Sequence, residues 1–293
     1  MGDLFGVAVS PFELAEWQDA TGIKPDLCMV FENWARQRSL ADTFAKARSF
    51  GHTAIVLCWE PWTPTPAGAG LGGIEQPQWN HDSILNGDHD EYIDTMARAC
   101  RDSGLETVYL RYAHEMNGTW YPWHHDPAKY VEAWRYIRRR MRSERAAWNV
   151  KFVWSFNPDL WRGTAAEWLK RLLPYWPEAS QIEWVASTMI AFGGSKDYPV
   201  DQFRDRFDLA QDIFGTKVLA VEVNVAREQM IPWLDNLAAY VRRPDRPLPL
   251  VVLSQGMSRA GAGGGTGDLG WSVEDDPEGC AAVARLVDAI HGK

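Results

Sequence analysis

What most constrains this chain is an alternation that runs its whole length. Short β-branched or apolar runs take turns with longer stretches whose apolar residues recur at helical spacing. The expected strands are Phe5–Val9, Leu27–Phe31, Ala54–Trp59, Thr107–Arg111, Lys151–Ser155, Val185–Met189, Lys217–Val221 and Leu248–Leu253. The helical patterns are Glu13–Ala20, Leu40–Phe50, Glu91–Arg101, Pro127–Arg142, Ala165–Leu173, Val200–Phe214, Glu228–Val241 and Cys280–Ile290. Eight β-then-α units without a break in composition favour an α/β fold of one kind, a (β/α)8 TIM barrel forming a single domain over residues 1–293. The rival is an open doubly wound sheet. It usually carries a glycine-rich phosphate turn after its first strand, and Val9-Ser10-Pro11-Phe12 is not one. Local punctuation agrees with the count. Gly51, Gly104 and Gly215 sit where helices end, and Asp126-Pro127 reads as N-cap and first helical residue. The glycine-rich stretches Ala67–Gly73 and Gly261–Gly270 follow strands 3 and 8, which places them among the loops of the catalytic face.

Composition narrows the function. With 46% apolar and 24% charged residues the chain can pack a large core. A net charge of −9 repels phosphate backbones, so no nucleic-acid partner is expected. There is no apolar run of about 18 residues, so no membrane span is expected either. Arg135, Arg138, Arg139, Arg142 and Arg145 share one helix face, read as an outer face paired with acids on neighbouring helices. Cys28, Cys58, Cys100 and Cys280 lie far apart and make no metal-binding spacing. The opening MGDLFGVAVS has no secretory leader pattern, which fits either a cytoplasmic protein or a trimmed secreted domain. A monomer is expected. The outlier is 16 tryptophans. Tryptophans at strand ends suggest platforms for sugar rings, although any one of them is more often core.

Reacting groups in such barrels occupy the C-terminal ends of strands. Glu115 follows strand 4 and Glu222 ends strand 7. Alternation puts Arg111, Ala113 and Glu115 on one side of their strand, and Val218, Ala220 and Glu222 on one side of theirs. If both sides face the axis, the two carboxylates converge across the mouth. Glycoside hydrolysis needs such a pair, about 5–5.5 Å apart when configuration is retained. His114-Glu115-Met116-Asn117 is not the HExxH zinc motif, and strand 1 lacks an HxH pair. His81, His89, His124 and His125 fall in loops near Asp82, Asp90 and Asp126, read as helix caps and solvated residues rather than a metal cluster. No cofactor and no metal are expected.

The run Arg111-Tyr112-Ala113-His114-Glu115-Met116-Asn117-Gly118-Thr119-Trp120-Tyr121-Pro122-Trp123 closely resembles the acid/base motif of glycoside hydrolase family 26, which includes β-mannanases, mixed-linkage β-glucanases and some β-xylanases. Trp59-Glu60-Pro61 and Val218–Glu222 are similar to further segments of that family. The resemblance implies a retaining double displacement, with Glu115 as acid/base and Glu222 as nucleophile. His114 would then bond the sugar or the nucleophile, and Trp120, Tyr121 and Trp123 would border the sugar. Trp59, Glu60 and Trp154 would line subsites, and Asn157 would donate to a sugar hydroxyl. The substrate implied is a β-linked polysaccharide or oligosaccharide, β-mannan or β-glucan. One departure stands out: the family's tyrosine after strand 6, which bonds the nucleophile, appears here as Phe192, so tuning of Glu222 would fall to His114 or Arg111. Two other readings remain: a catalytically silent carbohydrate-binding barrel and a metal-dependent hydrolase using the loop histidines.

Overall fold

The computed structural model describes residues 3–64, 75–160, 162–191, 200–215, 218–245, 248–255 and 272–292. Phe192 and both glycine-rich stretches lie outside the described residues. Eight parallel strands close into a barrel in chain order: β1 Leu4–Ala8, β2 Leu27–Asn33, β3 Ala54–Glu60, β4 Thr107–Tyr112, β5 Val150–Phe156, β6 Trp184–Ala191, β7 Val218–Val225 and β8 Leu250–Ser254. The helices are α1 Leu14–Thr21, α2 Ala41–Ser49, α3 His81–Leu85, α4 Asp90–Asp102, α5 Pro127–Arg139, α6 Ala165–Leu172, α7 Val200–Phe214, α8 Met230–Val241 and α9 Pro277–Ile290. The barrel is the expected (β/α)8 fold. The short α3, too brief to leave a periodic signal, was not expected.

Helix ends follow the local chemistry read from the sequence. The Asp126 carboxylate accepts the Lys129 N–H at the start of α5. Gly51 and Gly104 take φ of +84° and +69° after α2 and α4, a region open to glycine at little cost. Of the five arginines expected on one basic face of α5 and its continuation, four are paired with acids, and Arg139 instead lies over the Tyr136 ring. Arg135 meets Glu178 at 2.7 Å, Arg138 and Arg142 share Glu183 at 3.0 and 2.7 Å, and Arg145 pairs with Asp94. Pairs this close to solvent each contribute under about 1 kcal/mol.

Two cores follow from strand alternation. Leu27, Met29, Ala54, Val56, Cys58, Tyr109, Val153, Ala186, Leu219, Val221, Leu250 and Val252 form a cluster made only of strand residues, which is the filled barrel interior. The opposite faces of the strands pack on the helices in a larger cluster. Most of the tryptophan goes into this outer layer: Trp17, Trp34, Trp59, Trp134, Trp154 and Trp168 are fully buried. Each ring removes on the order of 5 kcal/mol of apolar surface from water before entropy is counted.

This corrects two expected site residues. Trp59 lies one position beyond inward-facing Cys58, so it points out toward the helices. It packs on Trp34 at 4.6 Å between ring centroids and donates to the Tyr92 hydroxyl at 3.1 Å. Trp154 likewise donates to the Tyr175 carbonyl at 3.1 Å and sits between Trp176 and Phe214. Both are core side chains and neither lines the barrel mouth.

Candidate active site

The two glutamates reach the mouth by departures from regular strand geometry. In β7 the interior side chains are Leu219 and Val221, while Val218 and Ala220 face the helices. The expected side for Glu222 is therefore the wrong one, and continued alternation would turn its carboxylate outward. A bulge reverses this. Thr188 and Met189 of β6 pair with Val221 and Val223, and on the other side Ala220 and Val223 pair with Val251 and Leu253, so Glu222 is an extra residue in β7. Its φ of +58° turns the carboxylate inward. After β4, Ala113 and Glu115 also take positive φ, +43° and +54°. Such backbone costs about 1–3 kcal/mol per non-glycine residue and persists only where surrounding contacts impose it. Here the Ala113 N–H donates to the Trp59 carbonyl at 3.1 Å and the Glu115 N–H to the Ser155 carbonyl at 2.8 Å.

Arg111 sits at the centre, fully buried, pointing into the barrel from β4. It pairs with Glu222 through Nη1 and also donates to Cys58 Sγ at 3.3 Å, to Ser155 Oγ at 2.8 Å and to Thr188 Oγ1 at 3.1 Å. Thr188 in turn donates to Glu115 Oε1. The Asn157 amide donates to the same oxygen at 3.0 Å, and the Trp120 indole N–H donates to Oε2 at 2.8 Å. Asn157 is itself clamped. Its N–H meets Asn117 Oδ1 at 2.9 Å and its carbonyl accepts from Asn117 Nδ2 at 2.8 Å. One hydrogen-bonded chain thus joins Glu222, Arg111, Thr188 and Glu115 across β7, β4 and β6.

Charge states follow from burial and partners. Burial pushes the Glu222 carboxyl above its ordinary range, and the Arg111 charge opposes that rise. Burial alone would lower Arg111, but Glu222 together with the other groups around it, Cys58 and Glu115 among them, outweighs burial and the guanidinium stays charged. Burial also holds the Cys58 thiol up at about 12, so it faces Arg111 as a neutral group.

Beside this chain lies an aromatic box. Tyr121 stacks on Trp123 at 4.2 Å, and Trp62 meets both edge-on at 5.3 and 6.0 Å. The Tyr121 hydroxyl and His114 Nε2 are 3.2 Å apart, and Trp123 donates to the His114 carbonyl at 2.8 Å. Glu60 accepts from the Trp62 indole at 3.3 Å, and burial raises its carboxyl to about 8. Burial first, and then Arg111, lowers His114 well below the usual imidazole range, so it is neutral.

The expected residues therefore divide. Glu115, Glu222, Arg111 and Asn157 join one network, and His114, Glu60, Tyr121 and Trp123 the adjoining box. Trp120 bridges to Glu115 with its ring half-buried. Trp123 is a buried support rather than a surface, and His114 bonds Tyr121 rather than Glu222. Of the two expected tuners of Glu222, Arg111 is the one in contact. The sequence reading gave no role to Thr188, Ser155 or Trp62. Thr188 had a weak signal, as a hydroxyl two residues past inward-facing Ala186, but threonine suits a strand anyway. The loop histidines go elsewhere: His81, His89 and His124 bond the carbonyls of Trp123, Gln78 and Tyr121. Among the described residues no group of three or more His, Cys, Asp or Glu could hold a metal ion.

Fold and site together define a (β/α)8 barrel with paired carboxylates at the carboxyl ends of β4 and β7. Residues 74–217 match the family model described as Glycosyl hydrolase family 26, a stretch that contains Glu115 and ends before Glu222. Over that stretch, just under half of its length, the chain is similar to glycosyl hydrolase family 26. It is similar to Endoglucanase H of Acetivibrio thermocellus, 30% identical over 166 residues, which is 54% of this chain and 17% of that protein. The chain thus spans about a sixth of the length of that curated relative. Among solved structures, a modular endo-β-1,4-mannanase from Cellulomonas fimi aligns with a TM-score of 0.68 at 17% identity, covering 96% of this chain and 70% of that one. A family 26 β-mannanase from Bacteroides ovatus aligns at 0.63 and 13% identity, covering 100% and 91%. At these identities the structures establish the barrel.

Proposed function

We propose that this chain is a retaining endo-β-glycanase that cleaves a β-linked polysaccharide of the β-mannan or β-glucan type. The carrying observation is the buried chain Glu222–Arg111–Thr188–Glu115, which brings carboxylates from β7 and β4 to one place at the barrel mouth. In this reading Glu222, ionised against Arg111, attacks the anomeric carbon while Glu115 gives its proton to the departing glycosidic oxygen. A glycosyl ester on Glu222 results. Glu115, now a carboxylate, takes a proton from water as the water oxygen attacks that carbon, and Glu222 leaves. Trp120 and Tyr121, half-buried beside Glu115, offer ring surface to the sugar. The substrate class rests on the relatives to which the chain is similar, an endoglucanase and several β-mannanases.

The test is incubation of the purified chain with β-mannan, glucomannan, mixed-linkage β-glucan and β-xylan, following reducing ends and the anomeric configuration of the first products by NMR. The expected result is mixed oligosaccharides released from mannan or glucan with the β-configuration kept. Binding of these glycans without release of reducing ends would favour a silent binding barrel, and α-configured first products would overturn the retaining mechanism.

A further inference from the structure

Thr188 has no role in the chemistry as stated, yet its hydroxyl links the Arg111 guanidinium, which holds Glu222, directly to the Glu115 carboxyl. It lies on β6, 4% exposed, and pairs in the sheet with Val221, the residue before the bulge that turns Glu222 inward. Its hydroxyl has one proton and two lone pairs. The guanidinium of Arg111 can only donate, so the bond from Nη2 at 3.1 Å occupies a Thr188 lone pair. The Thr188 proton is left for Glu115 Oε1. Directionality is therefore fixed: Arg111 to Thr188, Thr188 to Glu115. The consequence falls on Glu115. Among the described residues, Oε1 takes two donors, Thr188 and Asn157 Nδ2, while Oε2 takes one, Trp120 Nε1. Within that set Oε1 is filled, and Oε2 keeps a lone pair on the side of the half-buried Trp120 ring.

We infer that Thr188 is a positioning residue for the acid/base: its hydroxyl, oriented by Arg111, fills Glu115 Oε1 so that the transferable proton is carried on Oε2 toward the leaving oxygen. This rests on the reading of Glu115 and Glu222 given above. Threonine suits the task because a hydroxyl can accept from one partner and donate to another at a single atom, and its branched side chain is stiff about χ1. The charged or titratable groups that act on Glu115 from other positions are Glu222, Arg111 and Tyr121, none of which bonds its carboxyl directly among the described residues, and the adjacent His114 turns its ring to the Tyr121 hydroxyl.

The test compares Thr188→Val, which keeps the shape and loses the hydroxyl, with Thr188→Ser, which keeps the hydroxyl. Glucomannan serves as the substrate that needs a protonated leaving group, and 2,4-dinitrophenyl β-cellobioside and β-mannobioside as substrates that do not. For Thr188→Val the expected result is a roughly tenfold or greater loss of kcat/KM on glucomannan, part of what general acid catalysis supplies. The same variant should stay within about threefold of the native chain on whichever aryl glycoside the native chain cleaves. The alkaline limb of the glucomannan pH profile should move upward, because a donor to the carboxylate has gone. Thr188→Ser should restore both. Equal losses on both substrates, an unmoved limb, or no rescue by serine would overturn the inference. If the valine variant does not fold, Thr188→Ala is read by the same criteria. A native chain that leaves every polymer uncut sinks the functional reading itself. A native chain that cuts, a Glu222→Ala variant that does not, and an unaltered Thr188→Val sink only the role of Thr188.

Discussion

The lower and upper parts of the barrel interior are built from the same strands yet obey different rules. Met29, Val56 and Tyr109 pair across β2, β3 and β4 as neighbours in one apolar band, each placed by simple alternation. Two residues further along those strands come Phe31, Cys58 and Arg111, and with Arg111 the interior becomes polar: Ser155, Thr188, Glu222 and Glu115 surround it. Regular pleat gives way there to a bulge at Glu222 and left-handed backbone at Ala113 and Glu115. The lower band spends its packing on holding the barrel shut. The upper one uses that rigidity to hold strained backbone and a buried charge in place, which alternation alone could not do.

The sharpest way to break this contrast is to remove the buried cation. Arg111→Met leaves Glu222 buried without its counter-charge, which should cost about 3–5 kcal/mol of stability. It should also lower kcat on the order of 10³-fold, as loss of a preorganised electrostatic partner does. Met29→Ala in the lower band should cost about 2–5 kcal/mol through its cavity and leave kcat near native. Urea unfolding and steady-state rates on the same proteins check both. Comparable loss of kcat in the two variants would erase the distinction between the bands.

A smaller effect is expected at Gly118. A Cβ there would lie 2.4–2.5 Å from the Trp120 ring, so Gly118→Ala must push the indole away from Glu115 Oε2. A displacement of this size should lower kcat/KM roughly 10- to 100-fold with stability little changed. Retention of full activity would mean that the Trp120 bond to Glu115 does not matter to turnover.

The smallest expected effect is on stability as a function of pH. The Glu60 carboxyl is raised to about 8 in the folded chain from an ordinary value of 4.5. Between those values the folded state keeps a proton that the unfolded chain gives up. Stability from this group is therefore present at low pH, falls as pH rises through the window and is flat above it. Urea midpoints at pH 5 and pH 8 should differ more for the native chain than for Glu60→Gln. Equal differences would mean that Glu60 is ionised like an exposed carboxylate.

Much of this was legible in the residues. Eight alternating units predicted the barrel because period 2 and period 3.6 are strong signals over whole elements. The run from Arg111 to Trp123 marked Glu115 and its neighbours, and the arginine face of α5, paired with acids at four of its five positions, followed from spacing alone. The placement of Trp59 and Trp154 was missed because a tryptophan near a strand end looks alike from either face, and a one-residue difference sends it to the helices. The orientation of Glu222 was reached by a wrong route: the strand reading carried no sign of the bulge, whose signature is a register shift between three strands. Thr188 escaped because its importance lies in partners brought from β4 and from the turn after it, tens of residues away in the chain.

The most direct measurement is to trap the reaction on the protein. A 2-deoxy-2-fluoro β-glycosyl fluoride of the sugar the chain releases slows both steps at the anomeric carbon, and peptide mass spectrometry then locates the adduct. The account predicts one glycosyl group, on the peptide segment of β7 and at Glu222. An adduct on Glu115 or any other side chain, or inactivation of an active enzyme with no covalent sugar at Glu222, would contradict it.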